Sequence, residues 1–153
     1  VIIGLVAGAV LMLAAEKFAR KQTVDDIDSI TLSQAFWVGL FQILSLWPGF
    51  SRSGSTISGG LLLGMSRKTA AEFSFIIAVP LMSVACLYDF LKIWQQLDIS
   101  DIKFFAIGFA VAFAVAYLSI VWFISFLNRS SLASFAIYRF IVAGFSVWYF
   151  FIR

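Results

Sequence analysis

The stretch Trp47-Pro-Gly-Phe-Ser-Arg52-Ser-Gly-Ser-Thr56 sets an arginine and four hydroxyls, punctuated by two glycines, between strongly apolar segments. Irregular backbone and a guanidinium are costly at membrane depth unless they line a cavity and meet a ligand. The residue types suit an anion such as a phosphate. Arg52 offers a rigid fork of donors, and Ser51, Ser53, Ser55 and Thr56 add hydroxyls. Gly49 and Gly54 remove the side chains that would keep backbone N–H groups from a ligand, and a helix starting at about Thr56 turns its positive end into the loop. An arginine at mid-membrane costs about 2.5 to 3.5 kcal/mol on insertion scales, so an anion or a partner carboxylate must offset it. The competing reading has Arg52 held by a buried carboxylate or helix-end carbonyls, as a brace for the loop.

On the upstream side, Thr31-Leu-Ser-Gln34 has the capping-box pattern and opens an apolar helix that runs to Trp47, where Pro48 and Gly49 stop it. On the downstream side, Thr56 to Met65 is apolar and rich in small residues, with Gly60 and Gly64 spaced for helix contact. Both pieces fall short of the roughly 20 residues a spanning helix needs. The pattern therefore predicts a re-entrant helix-loop-helix that turns near mid-membrane and returns. A single broken spanning helix is the alternative.

Val1 to about Phe18 reads as most of one spanning helix, with Gly4 and Gly8 as a small-xxx-small face, followed by the charged segment Glu16 to Asp28. Thr69-Ala-Ala-Glu72 has the pattern that opens a full span to about Leu91, with a kink expected at Pro80. Ile102 to Leu127 and Phe135 to Ile152 complete the set, bounded by the polar turns Lys92 to Asp101 and Asn128 to Ser134. The expected fold is all-α and integral to the membrane. It has four spanning helices plus one re-entrant hairpin in a single membrane domain over residues 1–153.

Composition agrees. Of 153 residues, 62% are hydrophobic and 18% aromatic, with only 12% charged and a mean hydropathy of +1.00. The net charge of +3 lies in short segments between apolar runs, where topology alone would put it, which argues against nucleic acid as a partner. Lys17, Arg20, Lys21, Arg67, Lys68 and Arg129 fall on one side of the expected topology and Lys92, Lys103 and Arg153 on the other. The richer side is expected to be cytoplasmic. The single cysteine, Cys86, lies in an apolar run and reads as a packing residue, while the absence of histidine removes the commonest general base and transition-metal ligand. The start at Val1, inside an apolar stretch, reads as a fragment of a longer protein.

Pro48, Gly49, Ser51, Arg52, Ser53 and Thr56 match, position by position, the Pro-Gly-x-Ser-Arg-Ser-x-x-Thr signature of the undecaprenyl-pyrophosphate phosphatase, or bacitracin-resistance protein, family. The flanks Gln34-Ala-Phe, Phe41-Gln42, Ile57-Ser-Gly-Gly, Glu72-Phe-Ser-Phe, Ala78-Val-Pro80 and Phe135-Ala-Ile-Tyr-Arg139-Phe also resemble that family, so the likeness covers essentially the whole chain. The resemblance implies a bacterial inner-membrane hydrolase that converts undecaprenyl pyrophosphate to the monophosphate lipid carrier for cell-wall synthesis, assisted by a divalent cation such as Mg²⁺ or Ca²⁺. It implies that Arg52 binds the pyrophosphate, with hydroxyl contacts from Ser51, Ser53 and Thr56. The partners so implied are the isoprenoid pyrophosphate and membrane lipids, and a second copy of the chain is a candidate. The family also carries a first signature with a glutamate pair, a serine-rich loop and a histidine, in a half related to this one as an inverted repeat. Here those motifs are missing, so the resemblance places the nucleophile and the acid–base groups outside these residues.

Several residues carry two readings. Glu72 is a candidate metal or arginine partner, but a capping box with Thr69 explains it equally. Gln42 is analogous in place to the first-half carboxylates, yet an amide is neither a base nor a strong metal ligand. Arg139 is expected to snorkel to the interface from the start of the last span. Asp89, Tyr88 and the dispersed tryptophans fit interface anchoring, while Trp47 and Phe50 adjoin the loop and suit either an isoprenoid tail or hairpin packing. A transporter or flippase of polyprenyl phosphates or other anions is the alternative function, because opposed hairpins are also transporter architecture.

Overall fold

The computed structural model describes residues 1–19, 22–94, 101–127 and 131–152. Helices α1 (Ile2–Phe18), α2 (Leu32–Ile43), α3 (Arg52–Leu62), α4 (Arg67–Ile93), α5 (Asp101–Leu127) and α6 (Leu132–Val147) make up the fold. A 3-10 turn, Leu44–Leu46, extends α2, and a wider π-helical turn, Trp148–Ile152, ends α6. Among the described residues, three helical stretches are long and apolar enough to cross a membrane: Arg67–Ile93, Ile102–Leu127 and Leu132–Phe150. Helix α1 has 17 residues, about 25 Å at 1.5 Å per residue.

Local chemistry sets the boundaries. The capping box at the start of α2 forms as the sequence suggests: Gln34 N donates to Thr31 Oγ1 at 3.2 Å and Thr31 N to Gln34 Oε1 at 3.0 Å. Helix α4 starts earlier than expected. Ser66 is its cap, accepting from Thr69 N at 3.2 Å, so Thr69 and Glu72 do not form the opening box. Helix α6 also starts early, at Leu132 behind a Ser131 cap, not at Phe135. The assigned helix of α4 runs unbroken through Pro80.

Packing centres on small side chains. Helix α1 lies against α6 and α3, and α3 lies against α2 and α4. The core joins Ala9, Met12 and Ala15 of α1 to Ile57 and Leu61 of α3, Ala70 and Ala71 of α4 and Ala136 of α6. Glu16 ties three elements together at one end, pairing with Arg67 and accepting from Leu132 N at 3.3 Å. At the same end Gln34 Nε2 donates to Leu63 O at 3.1 Å, and Ser66 N donates to Val24 O at 2.9 Å. The open ends of the α2–α3 hairpin, the end of α1 and the starts of α4 and α6 therefore share one end, together with Lys17, Arg67 and Lys68. Arg20, Lys21, Arg129 and Arg153, which complete the expected charge bias, lie outside the described residues.

By contrast, α5 leans only lightly on α4, and between Ile102 and Leu127 only its last residue, Leu127, is buried. Cys86 is exposed on α4 and is not the packing residue expected from its apolar surroundings. Its neighbours Val84, Leu87 and Tyr88 are exposed as well.

Candidate functional site

The loop between α2 and α3 turns on two left-handed residues, Gly49 at φ 90° and Ser51 at φ 79°. Glycine adopts this conformation freely, whereas for serine it is uncommon. Ser51 is held there because it caps α3, its Oγ accepting from Gly54 N at 3.2 Å. As a result α3 begins at Arg52 and not near Thr56, and of the signature residues Arg52, Ser53 and Thr56 lie in the helix's first turn and a half, while Pro48, Gly49 and Ser51 precede it. The positive end of α3 and the amides of its first residues face the loop directly.

This placement sorts the hydroxyls. Ser55 and Thr56 are fully buried. Ser55 Oγ donates back to Ser51 O at 2.8 Å, and Thr56 Oγ1 donates to Arg52 O at 3.1 Å while lying 2.6 Å from Ser74 Oγ on α4. Thr56 thus joins α3 to α4. Ser51 and Ser53, half-buried, do line a cavity of about 470 Å³ with Gly49, Gly54 and Arg139 at its polar end and Met12, Phe123 and Phe135 among its apolar walls.

Arg52, also half-buried, extends to the other side. It lines a cavity of about 340 Å³ with Ser53, Phe75, Ser119 and Trp122, and its Nη1 donates to Ser74 O at 3.0 Å. No carboxylate pairs with it among the described residues. A single carbonyl leaves most of its donors and all of its charge available.

The expectation for Arg139 is overturned. It does not snorkel to the interface; it is 6% exposed, and among the described residues it is the buried charged side chain. Its Nη2 donates to Gly49 O at 2.6 Å and to Gly4 O at 3.2 Å, and its Nε donates to Leu5 O at 3.3 Å. The cause is the early start of α6, which moves Arg139 a turn deeper, together with the gap left by Gly4 and Gly8. A methyl group at Gly4 would strike Pro48 O, and one at Gly8 would strike Phe50 O and the Arg139 guanidinium. The glycine pair of α1 therefore receives the loop and an arginine. The signal that could have revealed this is the joint presence of Gly4 and Gly8 and a charge well inside the last apolar run.

Glu72 lies 3.8 Å from Lys68, one turn away on α4. Among the described residues no three acidic, histidine or cysteine side chains cluster as a metal site would require. Gln42 Oε1 is buried without a hydrogen-bond partner. Trp47 is exposed and Phe50 half-buried at the tip.

The fold and this loop define a helical membrane protein whose broken hairpin directs arginine and serine donors into cavities walled by apolar side chains. Residues 1–145 match the family described as bacitracin resistance protein BacA, and the chain belongs to that family. Relatives named undecaprenyl-diphosphatase include one from Geobacillus kaustophilus, 56% identical over 144 residues, or 94% of this chain and 53% of the relative. Another, from Anoxybacillus flavithermus, is 53% identical over the same shares. A third, from Exiguobacterium sibiricum, is 51% identical over 94% of this chain and 52% of its own length. The chain spans about half the length of the curated relatives it matches.

Proposed function

We propose that this chain supplies the diphosphate-binding loop of an undecaprenyl-diphosphatase in the bacterial inner membrane, releasing undecaprenyl phosphate for reuse in cell-wall synthesis. The observation that carries the proposal is Arg52, which among the described residues stands without a carboxylate partner at the N-terminus of α3, beside Ser53 and a cavity with aromatic walls. The α2–α3 pair is proposed to be re-entrant. Both its open ends lie with Glu16 and Arg67, and its tip abuts the first turns of α1.

In net hydrolysis, the bridging P–O bond breaks, the terminal phosphoryl group ends on water as inorganic phosphate, and the lipid monophosphate is left behind. This chain's part is to bind and orient. Arg52 grips non-bridging oxygens with its free donors, the Ser53 hydroxyl adds a contact, and the amides opening α3 face the developing charge. Preorganised donors of this kind act most strongly where water is excluded. The chain has no histidine, and the described residues hold no acidic cluster. The nucleophile, the proton transfer and the divalent cation are therefore assigned to groups beyond these residues.

The test is phosphate release from a C15 or C55 prenyl pyrophosphate in detergent with Mg²⁺ or Ca²⁺, comparing the natural protein with this 153-residue chain. Release by the natural protein and none by the chain alone is the expected result. No release by either, with both folded, would overturn the hydrolase reading in favour of an anion transporter.

A further inference from the structure

Beyond Arg52, the loop is approached by a second guanidinium. Arg139 uses Nε and Nη2 on the carbonyls of Leu5, Gly4 and Gly49, which fixes the plane of its head group. Its Nη1 is buried and has no hydrogen-bond partner. Neutral carbonyls satisfy donors but do not neutralise a charge, and the ion pairs among the described residues, Glu16 with Arg67 and Glu72 with Lys68, do not include Arg139. A buried, uncompensated cation with free donors calls for an anion.

The space for one is present. Nη1 lies close to Gly54, where a Cβ would stand 2.5 Å from Met12 Cε, 3.2 Å from Ser51 Oγ and 3.3 Å from Nη1. The missing side chain thus lets Met12, Ser51 and Arg139 converge on this glycine, and all four residues line the cavity of about 470 Å³. That size is ordinary for a small-molecule site. Met12, Phe123, Leu127 and Phe135 form apolar walls beyond it. The cavity has the chemistry of an amphiphile with an anionic head. Its partner cavity, on the Arg52 side, shares Ser53 and Phe123 with it.

We infer that Arg139 Nη1, with Ser51, forms a second anion subsite across the loop from Arg52, so that two guanidiniums flank Ser53 and each takes a phosphate group of a diphosphate. This rests on the reading of the loop as a diphosphate site. In this role Arg139 does two things at once: its carbonyl contacts set the Gly49 turn, and its free edge holds ligand.

The test uses the natural protein in detergent and reads inhibition of prenyl-pyrophosphate hydrolysis by inorganic pyrophosphate and by inorganic phosphate. Arg139→Lys keeps the charge and loses the fork, whereas Gly54→Ala keeps Arg139 and crowds the cavity wall against Met12, Ser51 and Nη1. Each is expected to weaken pyrophosphate inhibition and raise KM by about tenfold or more, while inhibition by phosphate, which needs one subsite only, moves less. Unchanged pyrophosphate inhibition in Arg139→Lys, whatever happens to its melting temperature, would leave Arg139 a brace and overturn the inference. If Arg139→Lys does not fold, Gly54→Ala decides by the same reading. Arg52→Lys separates the two proposals. A pyrophosphate effect there but not at Arg139 or Gly54 removes the second subsite alone, and no effect at any of the three removes the loop reading with it.

Discussion

Helices α3 and α5 invert each other. In α3 every residue from Gly54 to Leu61 is buried, and these include Ser55, Thr56, Ser58, Gly59 and Gly60. In α5 the side chains are almost all apolar, yet Phe104, Phe109, Phe113, Val115 and Trp122 are exposed. A soluble protein would reverse the two. Where the surroundings are lipid, apolar exposure costs nothing, and polar groups and close-packing small residues gather inside, where hydrogen bonds can be completed. The interior of this fold is thus the place where a polar ligand can be met.

The largest break in that comparison should come at the loop. Arg52→Ala is expected to lower prenyl-pyrophosphate turnover in the natural protein by about 100-fold or more, read as phosphate release, since it removes a donor aimed at transition-state charge. Next is a charge on the outward helix. Val115, mid-way along α5 and exposed, changed to lysine should cost about 2.5 to 3.5 kcal/mol of insertion, seen as loss of membrane-integrated protein. A smaller effect is expected inside. A Cβ at Gly59 would lie 2.7 Å from the Phe41 ring, so Gly59→Leu should destabilise by about 1 to 3 kcal/mol, measured as a lowered melting temperature in detergent. Thr56→Val removes the 2.6 Å contact with Ser74 and should cost about 0.6 to 1 kcal/mol by the same assay. Val115→Leu, apolar for apolar on the lipid side, should stay within about 0.5 kcal/mol of the parent.

What was legible in the sequence follows the same division. Signals that act within a few residues were readable: the Thr31–Gln34 box, the stop at Pro48 and Gly49, and the long apolar runs of α4 and α5. The start of α3 was hidden because Ser-Arg-Ser-Gly-Ser has poor helix propensity, and only the left-handed Ser51, held by its cap on Gly54, lets the helix begin there. Thr56 was legible as a signature residue but not as the α3–α4 link, since its partner Ser74 is 18 residues away. Arg139 was misread because a three-residue error in the start of α6 separates an interfacial arginine from a buried one. Its partners Gly4 and Gly49 lie 135 and 90 residues distant. Pairings at such separations leave no periodic trace.

The most direct measurement is calorimetric titration of inorganic pyrophosphate into the natural protein and its Arg52→Ala variant, both in detergent and both shown to be folded. Saturable binding by the parent that is lost in the variant is the result expected of an inward-facing diphosphate loop. Equal binding by the two, or none by the parent, would contradict it.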